Sequence, residues 1–396
     1  MLYVFRSLLI LCVINLISCG SSTEIPDPPP PPTQEIIMGV DKQFEPPLWS
    51  GKLHVATREL YFKDESREET HTDDPNDKRE LLVRLFYPTD VEYSANVFPV
   101  FNPNNWDRIG AVAEEQYQLR KTNYLDAYWR VEMDAPLSTN IGIMPLVLFS
   151  HGNGRIPEEY IFAAAELASR GYMVASINHS YDSHYAEMPD GREFSYVGHG
   201  VDDLPGYSDF DREKLTEGLL LWSEDQIYIL NQLSLLNNDS SSFLFSNLDT
   251  QRVMSLGHSF GGATTYLSAW RDDRIIASVD MDGGIWNSYD MFIDSPFMFI
   301  QAAQTYDLEI FNNVSADSYH VYLETPIHHG SFFDIALFWG WDFPDESQIE
   351  LSASREILLT IVDLTDQFFM KYYQGNRSSM LDDGEQVPTW MTVTAY

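Results

Sequence analysis

The segment that most constrains this chain is 257–261, which reads Gly-His-Ser-Phe-Gly and has the Gly-x-Ser-x-Gly form. In this pattern the serine occupies a sharp turn between a strand and a helix, and the glycines let neighbouring backbones pass where a Cβ atom would clash. The apolar run 252–256 before it fits a buried strand, and the small residues that begin 262–270 fit the start of a helix. The segment therefore predicts a strand, a tight turn that carries Ser259, and a helix.

The rest of the chain alternates between strand-like and helix-like segments. Continuous or alternating apolar runs predict strands, and apolar residues at helical spacing predict helices. This alternation predicts an α/β domain with a mostly parallel central sheet and helices on both faces. The predicted strands are 53–62, 80–87, 144–150, 172–178, 252–256, 275–279, 297–302 and 320–324, and the predicted helices include 157–170, 212–237 and 349–372.

Three stretches interrupt this alternation. The acidic segment 63–78 joins the first two strands as a long hairpin tip, and Pro88 is predicted to end the second strand. Residues 89–140 have no clear period and predict irregular or partly helical cover. The polar stretch 179–210 predicts loops that line a pocket or form a lid. We therefore expect one domain over 37–396 that carries these stretches as insertions.

The N-terminus predicts an export signal. Arg6 is the only charge before a mostly apolar run at 8–16, which is too short to span a bilayer. The following Leu-Ile-Ser-Cys at 16–19 resembles a bacterial lipoprotein signal, which implies that residues 1–18 are removed and Cys19 is lipidated. Ordinary secretion with cleavage nearby is the alternative. The proline-rich segment 19–36 would then tether an exported domain to a bacterial membrane, on the periplasmic side or at the cell surface.

Composition narrows the classes of partner. The chain has 60 acidic and 24 basic residues and a formal net charge of -36. Such a surface repels nucleic acid and anionic membranes, so we expect no nucleic-acid partner. Hydrophobic residues make up 44% of the 396 residues, which is enough for a large core.

A serine at such a turn becomes a nucleophile when a histidine takes its proton and a carboxylate orients that histidine. After Ser259 the chain contains His320, His328 and His329. His320 begins a predicted strand, which favours a structural role. His328 and His329 follow the end of that strand, where the catalytic residues of an open parallel sheet collect. Both of them are candidates for the base.

Two aspartates at the end of strand 275–279 are candidates for the acid. Asp282 precedes two glycines in a turn that can aim its carboxylate inward, whereas Asp280 can still belong to the strand. Three further aspartates lie farther from a predicted strand end and are weaker candidates: Asp294, Asp307 and Asp317.

An oxyanion hole requires two backbone N–H groups that point at the developing negative oxygen. The residue after the nucleophile, Phe260, supplies one of them. The loop 151–154 reads His-Gly-Asn-Gly and resembles the His-Gly motifs of esterases, which implies the second N–H at Asn153. A plain turn between strand and helix is the alternative interpretation of this loop.

Taken together, these motifs resemble the platelet-activating-factor acetylhydrolase family. The resemblance implies the α/β-hydrolase fold, a calcium-independent phospholipase A2 activity and the triad Ser259, Asp282 and His329. Relatives carry Leu-Asp-Ala where this chain has Met-Asp-Gly, and His-x-x-Phe-x-Asp, which fits His329 and not His328. The chain departs from the family pattern at two positions. Asn153 stands where relatives often have an apolar residue, and the aromatic residue expected soon after the acid appears only at Trp286. The similar runs are 85–88, 149–152, 167–172, 257–264 and 329–334.

Metal binding is the main competing use of the histidines. His179, Asp182 and His184 lie close together in sequence, but their spacing matches no zinc signature. We expect them to be structural or to line the pocket, and we predict neither a metal nor another cofactor.

The sequence thus predicts a lipid-anchored serine ester hydrolase. By resemblance, its substrates are short or oxidised acyl esters of phospholipids. A general carboxylesterase or a polyester hydrolase would use the same residues. A surface-anchored binding protein that kept the fold without the chemistry is the hypothesis from another class.

Overall fold

The computed structural model describes residues 47–94, 96–100, 128–198, 209–285, 290–302, 308–325, 327–337 and 351–396. The signal segment 1–18, Cys19 and the tether 19–36 lie outside the described residues, so their roles stay predictions. Asp307 and Trp286 also lie outside them. Among the described residues, no helix has the length and apolar character needed to cross a bilayer.

The described chain contains thirteen strands and four α-helices. The helices are α1 (Ile161–Ser169), α2 (Asp209–Asn238), α3 (Phe260–Arg271) and α4 (Leu351–Gln374). The strands are β1 (His54–Glu68), β2 (Lys78–Thr89), β3 (Val97–Pro99), β4 (Tyr128–Met133), β5 (Met144–Ser150), β6 (Met173–Asn178), β7 (Tyr185–Glu187), β8 (Glu193–Ser195), β9 (Leu248–His258), β10 (Ile275–Met281), β11 (Phe297–Gln301), β12 (Ser318–Leu323) and β13 (Met391–Ala395).

Eleven of these described strands form one sheet in the order β13-β12-β11-β10-β9-β5-β6-β2-β1-β4-β3. The central run from β6 to β12 is parallel throughout. The pairs at the two sides, β2 with β6 and β12 with β13, are antiparallel. The prediction of a mostly parallel central sheet is therefore confirmed.

Helices cover both faces of this sheet, because its central strands are apolar on both sides. In β5, Val147 and Phe149 pack in a core cluster with residues of α1 and α4, whereas Leu146 and Leu148 pack on the opposite face with residues of α2. α3 lies on that second face and packs through Tyr266 and its neighbours. The predicted apolar face of α2 is buried in full: Leu215, Leu219, Trp222, Ile229, Leu230 and Leu233.

The structure corrects two sequence predictions about the insertions and adds one strand that the sequence did not indicate. Residues 89–140 contain β3 and β4, which extend the sheet beyond β1. The predicted loops at 179–210 contain a two-stranded hairpin formed by β7 and β8. The C-terminal strand β13 was not predicted at all. All of these strands are short, and their pairing depends on distant partners that a local pattern does not show.

β2 also continues through Pro88 to Thr89 instead of ending at Pro88. Pairing of β2 with β6 stops at Phe86, and the Pro88 carbonyl accepts a hydrogen bond from Ser138 N at 2.9 Å. Among the described strands, none pairs with Pro88 on the side of β2 that β6 occupies earlier. The missing N–H of this proline therefore breaks no ladder bond there.

The parallel centre places the ends of β5, β9, β10 and β12 at one edge of the sheet. The segments that follow these strands carry the loop 151–154, Ser259, Asp282 and His329. This edge is where ligands bind in open α/β sheets.

Candidate active site

Ser259 stands between β9 and α3 in a strained backbone conformation, with φ 56° and ψ -123°. The glycines around it are needed for close packing: a Cβ on Gly257 would lie 2.2 Å from the Gly261 carbonyl oxygen. A Cβ on Gly261 would lie 2.3 Å from the carbonyl oxygen of His151. The predicted turn is therefore present, and it leaves the serine half-buried at the sheet edge.

The predicted acid and the predicted base meet at the sheet edge. The Asp282 Oδ2 atom lies 2.7 Å from His329 Nδ1, and Asp282 Oδ1 accepts a hydrogen bond from Ala302 N at 2.8 Å. The Asp282 side chain is fully buried, whereas that of His329 is 32% exposed. A hydrogen bond at Nδ1 orients the imidazole and leaves its Nε2 atom as the nitrogen for proton transfer.

Backbone contacts bring this pair to the serine turn. Ser259 N donates to the Met281 carbonyl at 2.8 Å, and a Cβ on Gly283 would lie 2.3 Å from the Ser259 carbonyl oxygen. The ring of His258 lies 4.4 Å from the ring of His329, measured between centroids. Met281 and Gly283, which flank Asp282, therefore both adjoin Ser259. The ring of His329 packs against His258, the residue before Ser259.

The other histidines have structural partners. His328 Nδ1 accepts a hydrogen bond from Gly330 N at 3.1 Å, and burial lowers the pKa of His328 to about 4. His320 lies in β12 with its Nε2 atom 2.7 Å from Gln301 Oε1. The structure thus brings His329, and neither His320 nor His328, into hydrogen-bond contact with Asp282.

The other aspartates also have separate partners. Asp280 belongs to β10, and its Oδ1 atom accepts a hydrogen bond from Gly283 N at 2.8 Å. Burial raises the pKa of Asp280 well above its usual range. Asp294 accepts a hydrogen bond from Ser315, and Asp317 accepts one from Tyr372.

The predicted oxyanion loop adjoins the serine. A Cβ on Gly152 would lie 3.3 Å from the Ser259 Cβ atom. Gly154 adopts a φ of 67°, which favours glycine, and its N–H donates to the Asp182 carbonyl at 2.8 Å. Asn153 lies between these anchors, and its side-chain Nδ2 donates to Tyr196 Oη at 3.0 Å. Phe260 begins α3, so the two proposed N–H donors flank the nucleophile.

Three comparisons relate the chain to known proteins. A sequence model of the family described as "Platelet-activating factor acetylhydrolase, isoform II" matches residues 38–188. A "Probable 1-alkyl-2-acetylglycerophosphocholine esterase" of Arthroderma benhamiae is 26% identical over 267 residues, which cover 63% of this chain and 62% of that protein. A "Platelet-activating factor acetylhydrolase" of Cavia porcellus is 24% identical over 325 residues, which cover 74% of this chain and 72% of that protein.

The chain is therefore similar to the platelet-activating factor acetylhydrolase family, and the match to the family model covers less than half of its residues. It spans less than two thirds of the length of the Arthroderma relative. A solved structure titled "Ferulic acid esterase from Streptomyces cinnamoneus" is 19% identical and superposes with a TM-score of 0.69, covering 88% of this chain and 98% of that one. That similarity supports the α/β-hydrolase fold.

The structure also contains a buried network that the sequence patterns did not reveal. His179 Nδ1 lies 2.9 Å from Asp225 Oδ2, and His179 Nε2 lies 2.9 Å from Ser150 Oγ. Arg79 from β2 holds the same carboxylate through its Nη2 atom at 2.7 Å. Asp225 and Arg79 are far apart in the sequence, so neither belongs to a motif that could have marked them.

The possible metal ligands are engaged elsewhere. His179 is bound to Asp225, and Asp182 accepts a hydrogen bond from Trp222 Nε1 at 2.7 Å. Burial lowers the pKa of both His179 and His184. In the part of the chain that the structure describes, no group of three or more histidine, cysteine or acidic side chains is arranged to hold a metal ion.

Proposed function

We propose that this chain is a serine ester hydrolase that cleaves short or oxidised acyl esters of phospholipids through an acyl-enzyme. The observation that carries the proposal is the hydrogen bond of 2.7 Å between His329 and the buried Asp282, beside the strained turn of Ser259. The names of the family and of its relatives supply the substrate class.

In the proposed mechanism, His329 Nε2 takes the proton of Ser259 as Oγ attacks the ester carbonyl carbon. The carbonyl oxygen becomes an oxyanion, which the backbone N–H groups of Phe260 and Asn153 stabilise. His329 then gives the proton to the leaving alcohol, and the acyl group stays on the serine. Asp282 stabilises the imidazolium that forms between these two transfers.

Water completes the cycle. His329 removes a proton from water as its oxygen attacks the acyl carbon, and a second oxyanion forms in the same place. Collapse releases the carboxylic acid and returns the proton to Ser259. Because backbone N–H groups stabilise both oxyanions, the proposed reaction requires no calcium.

The decisive test is covalent labelling with a fluorophosphonate probe in Ser259→Ala and in a matched control. Ser268 lies on α3 with its buried Oγ without a hydrogen-bond partner among the described residues, so Ser268→Ala removes an equivalent hydroxyl away from the site. We expect wild type and Ser268→Ala to be labelled, and Ser259→Ala to be unlabelled. Folded wild-type protein that is not labelled would contradict the proposal and favour a binding protein without catalysis.

The acyl specificity is tested on phosphatidylcholines whose second acyl group lengthens from acetyl, in the presence and absence of EDTA. We expect kcat/KM to be highest for acetyl or short oxidised groups and to be unchanged by EDTA. A preference for non-phospholipid esters at equal acyl length would instead favour a general carboxylesterase or polyester hydrolase.

A further inference from the structure

Tyr160 lies inside the site, although the proposed mechanism does not use it. It stands between the 3₁₀ turn Pro157–Glu159 and α1, and its side chain is 1% exposed. Its ring packs against Phe149 and Phe333 at centroid distances of 5.2 Å and 5.5 Å. These contacts fix the ring, so its hydroxyl group has a defined position.

This hydroxyl joins two parts of the site. Gly152 N lies 3.1 Å from Tyr160 Oη, which lies 2.9 Å from His258 Nδ1. A backbone N–H can only donate, so the Tyr160 oxygen accepts from Gly152. The hydroxyl proton is free to be donated to His258 Nδ1 in the tautomer that carries its proton on Nε2. Burial raises the pKa of Tyr160 well above its usual range and lowers the pKa of His258 well below its usual range.

The hydrogen-bonded series Gly152–Tyr160–His258 contacts the proposed catalytic residues at both of its ends. At one end, a Cβ on Gly152 would lie 3.3 Å from the Cβ atom of Ser259. Gly152 also precedes Asn153, whose N–H is the second oxyanion donor of the proposed mechanism. At the other end, the His258 ring lies 4.4 Å from the ring of His329.

We propose that Tyr160 is a positioning residue whose hydroxyl fixes the oxyanion loop and the base relative to Ser259. This inference rests on the proposed function, because it concerns the same oxyanion and the same base. Without the hydroxyl, the Gly152 N–H and the His258 Nδ1 atom would both be buried without a partner. The loop would then move toward other acceptors and take the Asn153 N–H away from the oxyanion.

The test is Tyr160→Phe, which removes the hydroxyl and keeps the ring. We expect kcat for a chromogenic acetyl ester to fall roughly 10- to 100-fold, with KM changed less than about threefold, because the oxyanion forms only in the transition state. Inactivation by the fluorophosphonate should slow by a similar factor, since its phosphoryl oxygen occupies the oxyanion position.

Tyr87→Phe is the matched control. Tyr87 is also fully buried, and its hydroxyl donates to the Ala135 carbonyl at 2.7 Å within the cluster on the face opposite Tyr160. Tyr160→Phe loses two buried hydrogen bonds and Tyr87→Phe loses one, so both variants should lose resistance to urea. Only Tyr160→Phe should lose kcat when rates are expressed per folded molecule. Equal kcat in both variants would show a structural role only and overturn the inference.

His258→Phe breaks the hydrogen-bonded series at its other end and keeps a ring over His329. We expect its kcat loss to be similar, and the double variant Tyr160→Phe/His258→Phe to be no slower than the slower single variant. If the losses of kcat in the two single variants add up in the double variant, the inference is overturned. If Tyr160→Phe does not fold, an unchanged kcat in His258→Phe overturns it instead. Fluorophosphonate labelling of wild type separates the failure of the proposed function from the failure of this inference. If wild type is labelled and Tyr160→Phe has the same kcat, only the positioning role of Tyr160 is rejected.

Discussion

Two histidine and aspartate pairs in this protein share the same hydrogen bond but differ in every surrounding contact. His329 Nδ1 lies 2.7 Å from Asp282, and His179 Nδ1 lies 2.9 Å from Asp225. The His329 side chain is 32% exposed, whereas that of His179 is wholly buried. The second imidazole nitrogen of His179 is occupied by Ser150, a residue of the strand core.

The carboxylates differ as well. Asp282 accepts a hydrogen bond from a backbone N–H, whereas Asp225 is held by Arg79 at 2.7 Å and by Arg67 at 2.9 Å. Burial alone would raise the pKa of Asp225, but Arg79, His179 and Arg67 together hold it below its usual range. We propose that a histidine bound to a carboxylate serves as a base only where its side chain is partly exposed, as that of His329 is. Elsewhere the same pair is a structural cross-link.

The largest effect that tests this comparison is expected for Asp282→Asn. The amide removes the charge that stabilises the imidazolium, so we expect kcat to fall about 10⁴-fold with a small change in the free energy of unfolding. The matched control is Asp280→Asn, which replaces a buried carboxyl in the adjoining strand by an amide of the same shape and should leave kcat within about threefold of wild type. Steady-state kinetics on an acetyl ester measures both variants. The reverse pattern would make Asp280 the catalytic acid.

The second effect concerns stability and the structural pair. Asp225→Asn leaves the guanidinium of Arg79 buried without a full counter-charge, so we expect the free energy of unfolding to fall by about 3–5 kcal/mol. The kcat of the folded molecules should change less than about tenfold. Urea unfolding combined with titration of labelled active sites separates the two quantities. An unchanged stability together with a loss of kcat as large as that of Asp282→Asn would show that the two pairs do not differ in role.

The smallest effect concerns a third pair, in which His71 Nδ1 lies 2.8 Å from Glu69 and Nε2 lies 3.3 Å from Asp182. Although burial and Arg79 lower it, hydrogen bonds to Asp182 and Glu69 raise the pKa of His71 to about 9. This histidine binds its proton more tightly in the folded protein. Its contribution to stability is therefore complete below about pH 6.5 and is lost as the pH rises toward 9.

The measurement is the free energy of unfolding between pH 6 and pH 9 in wild type and in His71→Gln. We expect wild type to lose up to about 3 kcal/mol more than the variant over this range. Parallel curves for the two proteins would show that His71 is neutral in the folded state and would remove the third pair from the comparison.

Local patterns were sufficient for much of the fold. The turn at Ser259 was predictable because the backbone conformation of one residue and the contacts of its flanking glycines require particular residue types within five positions. The central strands and α2 were predictable because burial on both faces or on one stripe produces a periodic apolar pattern. The strands β3, β4 and β13 were not predictable from the sequence, because short strands at the sides of a sheet form only through pairing with strands that are distant in the sequence.

For the site, the sequence by itself determined the turn that carries Ser259 and the order of its candidate partners, and the family resemblance favoured Asp282 and His329. Only the tertiary structure decided which histidines contact which carboxylates, and it alone revealed Asp225, Arg79 and Tyr160 as partners. The physical reason is that their roles depend on burial and on contacts between distant segments. In the proposed function, an imidazole and a carboxylate form a base with its orienting acid at the open edge of the sheet, whereas the same two groups form a fixed cross-link inside the protein.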